Sequence, residues 1–349
     1  MKSLKSFLML AVCLVTLGCS NNDDDVVVSS KEGKALGFSV TGSKQELRSS
    51  PLLVLIDFKA YARKYVSGSA AGTDALDFLG TSGSPGSLVY KEGAAWKYSP
   101  VKYIPTGDKV DVVAYSPANS QNVTSFATTW GASGPAFTYT VPAKLNGSED
   151  LVVAKATDQD GVTPPQIALQ FNHILSQITF AAKGDAATGF SWTITSVAIK
   201  NMYRAATYTY GTDAWTNYAT KCDSTNVLAG PMIVNSTTPI DLTTVAQNTA
   251  LYILPGAQDA PTETAIKGDV APGDATKTFI IVSYKATETE TGIDVTPQTS
   301  HIAYIPVTAG MFAKGTAYKA TITLTKSIGA KIEFNPTVVA WASDTALDL

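Results

Sequence analysis

Arginine, histidine and cysteine are scarce in this chain of 349 residues. The two histidines, His173 and His301, lie far apart in sequence, and neither an HExxH nor a GxSxG motif accompanies them. A triad or a histidine zinc site would have to be assembled around a single imidazole. Of the three cysteines, Cys13 and Cys19 lie in an apolar leader, and only Cys222 remains beyond it. Loss of that leader leaves no pair for an intramolecular disulfide and no cysteine cluster for a metal. Arg48, Arg63 and Arg204 are the only arginines among 26 basic residues, and charged residues make up 16% of the chain, with a formal net charge of -3. Such a balance offers no footprint for nucleic acid and no polybasic patch for a lipid surface. Helical periodicity is also missing. After the leader no apolar run is long enough to cross a bilayer as a helix; the strongest, at 52–56, is stopped by Asp57. No catalytic, cofactor-binding or metal-ligating residues are therefore assigned.

The leader itself is informative. Lys2 and Lys5 precede an apolar stretch at 7–17, which ends in Gly18-Cys19. A small residue before cysteine at the end of an apolar stretch resembles the lipobox of bacterial lipoproteins. It predicts a signal peptide at 1–18 and a lipid on Cys19, with several acyl chains giving stable attachment. An ordinary secretory peptide cut nearby is the alternative. Ser20, Asn21, Asn22 and three aspartates at 23–25 follow, a tether similar to the surface-export signal of Bacteroidetes lipoproteins. Leu36, Phe38 and Val40 then alternate with small residues, the pattern of a half-buried strand. Arg48 stands between Leu47 and Ser49-Ser50-Pro51, where serines and proline oppose regular structure and leave the Arg48–Ser49 bond open to a protease. Residues 19–48 thus read as anchor, tether, removable strand (Leu36, Phe38, Val40) and cut site.

From there the chain breaks into short alternating or apolar runs separated by Gly, Pro, Ser and Asp, the signature of an all-β sandwich. Runs at 96–98, 103–104, 110–115, 137–141 and 151–154 are assigned to one sandwich, residues 49–165. Runs at 167–180, 192–199, 250–254, 279–284, 301–305 and 318–324 are assigned to a second, residues 166–349. The boundary is placed in Val162-Thr163-Pro164-Pro165, where the composition turns to linker type. A helical turn is expected near 74–78. The alternation Trp192, Ile194, Ser196 shifts to Val197 and Ile199, as a bulge would require. At the C-terminus Val339, Trp341, Leu347 and Leu349 fall on one face and small or acidic residues on the other, a strand fit for insertion elsewhere or for completing its own sandwich.

Two further motifs have two readings each. Asp158-Gln159-Asp160-Gly161 resembles part of a calcium loop but lacks the later glutamate, and Asp-Gly suits a hairpin turn. Trp96, Trp130, Trp192, Trp215, Tyr208 and Tyr210 would form either a sugar-binding platform or sandwich cores. His173 is expected to pack or hydrogen-bond at the junction of the two halves. Asp223-Ser224-Thr225 and Asp344-Thr345-Ala346 resemble the O-glycosylation sequon of the same phylum.

Taken in order, several stretches resemble the fimbrillin family, the subunits of Bacteroidetes type V pili. They are the leader, Phe58-Lys59-Ala60-Tyr61-Ala62, Trp96-Lys97-Tyr98 with Tyr103-Ile104-Pro105, Val112 to Pro117, Asp150 to Ala154, Phe171-Asn172-His173-Ile174-Leu175-Ser176-Gln177-Ile178, and Val339-Ala340-Trp341. The resemblance implies two transthyretin-like β-sandwich domains in tandem. It also implies an outer-membrane lipoprotein precursor that an arginine-specific protease cuts after Arg48, freeing Ser49 as the new N-terminus. Other copies of the chain or related pilins would be its partners, each donating a strand, here Val339, Trp341, Leu347 and Leu349, to the next in a cell-surface fimbria that supports adhesion. The alternative is a surface lipoprotein or pilus-tip adhesin that binds a host or bacterial glycan or protein through loops such as 208–215.

Overall fold

Consecutive apolar residues at 112–115, Val112-Val113-Ala114-Tyr115, give a strand apolar on both sides, so it must be covered on both faces. The computed structural model describes residues 33–42, 55–68, 76–80, 86–127, 130, 134–142, 149–160, 166–184, 189–222, 225–227, 231–242, 250–256, 259–262, 272–293, 301–324 and 333–339. Among them every regular element is a β-strand. Strand Asp108–Ser116 sits inside a sheet whose order is Gly37–Gly42, Gln166–His173, Val152–Asp160, Asp108–Ser116, Asp57–Val66, Ser87–Glu92, Ala95–Lys97. Its side chains divide by parity. Val110, Val112 and Ala114 enter one core with Phe58, Ala60, Ala62, Val152 and Ala154; Val113 and Tyr115 enter another with Tyr61 and Val153.

The second core is closed by a four-stranded sheet ordered Ala214–Lys221, Tyr203–Thr209, Ala136–Thr140, Val123–Ala127. Aromatic rings fill the space between the layers: Tyr115 and Phe137 lie 5.9 Å apart, Phe137 and Tyr208 5.4 Å, and the Tyr210 hydroxyl donates to Ala114 O at 3.0 Å. Sandwich packing of this kind was expected, but the segment around 208–215 was read as a loop. It is a hairpin instead, because Tyr208, Tyr210 and Trp215 are needed to roof the first sheet and are buried there. Leu76–Leu79 is likewise a strand rather than a helical turn; it pairs with Asp57–Val66 and buries Phe78 and Leu79.

Two more sheets pack face to face over the rest of the chain. One contains Ser176–Gly184, Ala317–Leu324 and Glu333–Val339; the other contains Phe190–Lys200, Phe279–Glu288 and His301–Pro306. The register between Phe190–Lys200 and Phe279–Glu288 shifts between Ile194 and Ser196, at the bulge that the alternation predicts. Residues 162–165 lie outside the described set, and the strands flanking them pair with each other, Val152 with His173 and Val153 with Asn172. By hydrogen bonding, residues 166–173 therefore belong to the first sheet, and Ser176–Gly184 is the first strand of the later pair. The two halves are stitched at 173–176. Trp215 Nε1 donates to Ile174 O at 2.7 Å and Gly315 N to Leu175 O at 2.9 Å. A Cβ on Gly315, at φ 64°, would meet His173 O at 2.9 Å, so this close approach requires glycine. His173 Nδ1 lies 2.9 Å from Asp150, the hydrogen bond expected of it at the junction.

Beside this junction Glu149 is half-buried and accepts hydrogen bonds from Ser120 Oγ and from Asn122 Nδ2, the latter at 2.9 Å. Burial pushes its carboxyl above the usual carboxylate range, and the two hydrogen bonds only partly oppose that. A carboxyl whose pKa is raised by folding contributes stability below its unfolded pKa and loses it as pH rises through the folded value. Glu149→Gln, which keeps an acceptor oxygen, should therefore raise the urea midpoint at pH 7. The gain should disappear below about pH 4, where the unfolded carboxyl is itself protonated. Equal midpoints for the two proteins across that range would contradict the assignment.

Candidate functional site

Strand Gly37–Gly42 is held differently from its neighbours. It pairs on one side only, parallel to Gln166–His173, in six matched pairs from Gly37 with Gln166 to Gly42 with Phe171. A parallel pair cannot be joined by a tight turn, so sequence proximity does not force this contact. What fixes it is the alternation on both strands. Ile167, Leu169 and Phe171 are buried while Gln166, Ala168 and Gln170 are exposed. Register sets Phe38 beside Ile167 and Val40 beside Leu169, so the apolar side chains of both strands face the same core.

The far side of this core is reached by the same segment. Leu36 N donates to Lys102 O at 2.8 Å, and Lys34 and Ala35 pair antiparallel with Tyr103–Ile104. The Tyr98 hydroxyl donates to Leu36 O at 2.8 Å. Burial pushes the Tyr98 phenol up, although an amide donated by Lys102 opposes this, so it remains a donor at neutral pH. Residues 33–42 thus link one edge of the long sheet to a separate two-stranded pairing with Tyr103–Ile104. Leu36 and Phe38 are each only 3% exposed, whereas Val40 is half-buried. Phe38 meets Phe58 edge-on at 5.7 Å and Tyr98 at 5.7 Å, and Phe58 in turn meets Phe171 at 5.2 Å. Burying two such side chains is worth about 1.5–3 kcal/mol each. A neighbouring strand removed from this position would leave a ladder of unpaired groups above an open apolar core.

The other expected site residues fare unequally. Cys19, Arg48, Ser49, Trp341, Leu347 and Leu349 lie outside the described residues, as do both glycosylation-like sequons in part or whole. Val339 is the last residue of Glu333–Val339 and pairs with Ala317, so it belongs to the edge of its own sheet. Its partner segment, with Phe334, packs on the core there. Arg63, by contrast, is central. Its Nε and Nη2 donate to Asp111 Oδ2 at 3.1 and 2.9 Å, its Nη1 to Trp130 O at 3.2 Å, and its guanidinium lies 4.4 Å from the Trp130 ring centre. Asp111 also accepts from the Tyr65 hydroxyl and the Asp158 amide. Asp158, at φ 56°, forms the bulge that brings its amide there, so the calcium-like segment serves an internal ion pair. Tyr208, Tyr210, Trp192 and Trp215 are buried in cores, and Trp130 is covered by Tyr61 and Arg63, which leaves them unavailable as a sugar platform. His301 is buried in another sheet, with its ring 5.3 Å from that of Tyr284. Tyr98 ends an alternating run, and the sequence marks its role by one signal: an aromatic just before Pro100 in a polar stretch.

Comparisons with known proteins agree with this architecture. A family model described as fimbrillin-like matches residues 67–341. A fimbrial protein from Bacteroides vulgatus has a similar solved structure, with a TM-score of 0.65 at 17% identity, covering 88% of this chain and 100% of that one. A fimbrilin from Porphyromonas gingivalis W83 is similar with a TM-score of 0.50 at 12% identity, covering 89% and 98%. No curated protein matches the chain.

Phe38→Ala should lower stability by about 3 kcal/mol or more, the usual cost of emptying a buried phenylalanine site. Val40→Ala should cost less, and Ser39→Ala, on the outer face, should change little. Urea unfolding of the three variants would check the ranking; equal midpoints for Phe38→Ala and Ser39→Ala would refute the plugging role of Phe38.

Proposed function

Because the chain belongs to the fimbrillin-like family, we propose that it is a structural subunit of a surface fimbria, exported as an outer-membrane lipoprotein through Cys19. An arginine-specific protease cuts it after Arg48, and it joins copies of itself or related pilins by strand exchange. One observation carries this reading: residues 33–42 close the first core, with Gly37–Gly42 as an edge strand on a parallel ladder, Lys34 and Ala35 paired to Tyr103–Ile104, and two buried side chains. Cleavage beyond that strand separates it covalently from the body, which is then free to take an equivalent strand from the next subunit. The joint is head-to-tail, so it does not close on itself and a filament grows. Main-chain hydrogen bonds at each joint make it slow to dissociate. In this reading the donor is the C-terminal tail. Val339 is already paired at the edge of its own sheet, so donation rests on the residues after it, with Trp341, Leu347 and Leu349 as the side chains that enter the groove. The role is structural, and support of adhesion follows from the fimbria as a whole.

N-terminal sequencing of polymer sheared from the cell surface should begin at Ser49. A polymer that still begins at Cys19 would show that strand removal is not needed. Cys19→Ala should abolish metabolic labelling with palmitate. Deletion of residues 344–349 should leave a folded monomer that fails to form ladders on a mild-detergent gel; an unfolded monomer would assign the tail to its own core.

A further inference from the structure

The two arginines among the described residues are both locked into sheets. Arg63 lies in the middle of Asp57–Val66, paired to Asp77 on one side and to Asp111 on the other, and is 6% exposed. Its guanidinium is consumed by Asp111, Trp130 O and the Trp130 ring. Arg204 lies in Tyr203–Thr209, between Ala136–Thr140 and Ala214–Lys221. Its carbonyl accepts from Val141 N at 2.8 Å and its Nε donates to Val141 O at 2.9 Å. Several lysines, Lys34, Lys91, Lys97 and Lys155, are exposed, and Lys91 and Lys97 flank the turn of an edge hairpin, while others such as Lys64 and Lys102 are half-buried like Arg204.

A protease that reads arginine needs two things at once. The substrate backbone must lie in its cleft as a free extended strand, and the guanidinium must enter a specificity pocket. Arg63 and Arg204 offer neither while the sheets stand. Cutting after them requires the central strands to open, which costs as much as unfolding the sandwich. The cleavage rate then follows the open population, about a thousand-fold or more below that of the unfolded chain.

We propose that the locking of Arg63 and Arg204 into paired strands, Arg63 buried and Arg204 half-buried, makes arginine-directed proteolysis a folding checkpoint: a folded chain survives the protease, and a misfolded chain is cut within its first sandwich at both positions. This rests on the reading that maturation uses such a protease.

The full-length chain is incubated with an arginine-specific endoprotease and, in parallel, with a lysine-specific one, across a urea series, and fragments are identified by mass spectrometry. In the absence of urea the lysine enzyme should cut the 91–97 hairpin, while the arginine enzyme should leave the bonds after Arg63 and Arg204 intact. As urea rises, cleavage after both arginines should follow the unfolding curve. Phe171→Ala should shift this onset to lower urea and accelerate native-state cleavage roughly a hundred-fold. If that variant does not fold, the urea series on the unchanged chain decides by itself. Cleavage after Arg63 or Arg204 in native protein at the unfolded rate would overturn the checkpoint. Lack of cleavage after Arg48 in the native chain yields a different fragment pattern and would overturn the maturation reading on which the checkpoint depends.

Discussion

The sheet around Asp108–Ser116 has no face that tolerates water. Its central strands place small and β-branched side chains toward one core and larger aromatic ones toward another. Each face therefore needs its own cover, and the rest of the molecule supplies two different solutions. Toward the aromatic side a second sheet lies across it, with Phe137, Tyr139 and Tyr208 meeting Tyr61 and Tyr115. Toward the small-residue side the cover includes residues 33–42, whose Leu36 and Phe38 join the core there with Tyr98 and Ile104.

The N-terminal strand is buried yet lies at an edge of its sheet. A strand inside a sheet is held by two ladders; this one is held by one, and by Phe38 and Leu36 acting as plugs. The Phe38 side chain sits against Phe58 and Tyr98, with Phe171 next to Phe58. The Tyr98–Leu36 hydrogen bond fixes how far the strand slides, since a shift of one residue would turn Phe38 out of the core.

The Arg63–Asp111 pair shows a second use of the same sheet. Taking both charges out of water is tolerated because Tyr65 and the Asp158 amide complete the carboxylate shell and Trp130 covers the guanidinium. Removing one partner alone would cost about 3–5 kcal/mol, since the other would remain buried and unpaired. An arginine in that position is thus both expensive to lose and hard to reach.

Much of this was legible in the sequence. Period-2 runs bounded by Gly, Pro and Ser marked an all-β chain, the Leu36-Phe38-Val40 alternation located the edge strand, and the shift at Ser196–Val197 located the bulge. Local pattern suffices there because a strand's two faces are written two residues apart. What it did not disclose was pairing. Residues 166–173 and the 203–221 hairpin join strands from earlier in the chain, and nothing local marks Val152 as the partner of His173 or Phe137 as the partner of Tyr208. The aromatic run at 208–215 read as a loop because Gly211, Thr212 and Asp213 interrupt it, yet the hairpin closes there and its rings roof the sheet. Alternation determined which residues face a core; only the tertiary structure decided which core, because strands distant in sequence are matched by the shape and volume of the side chains they bury together.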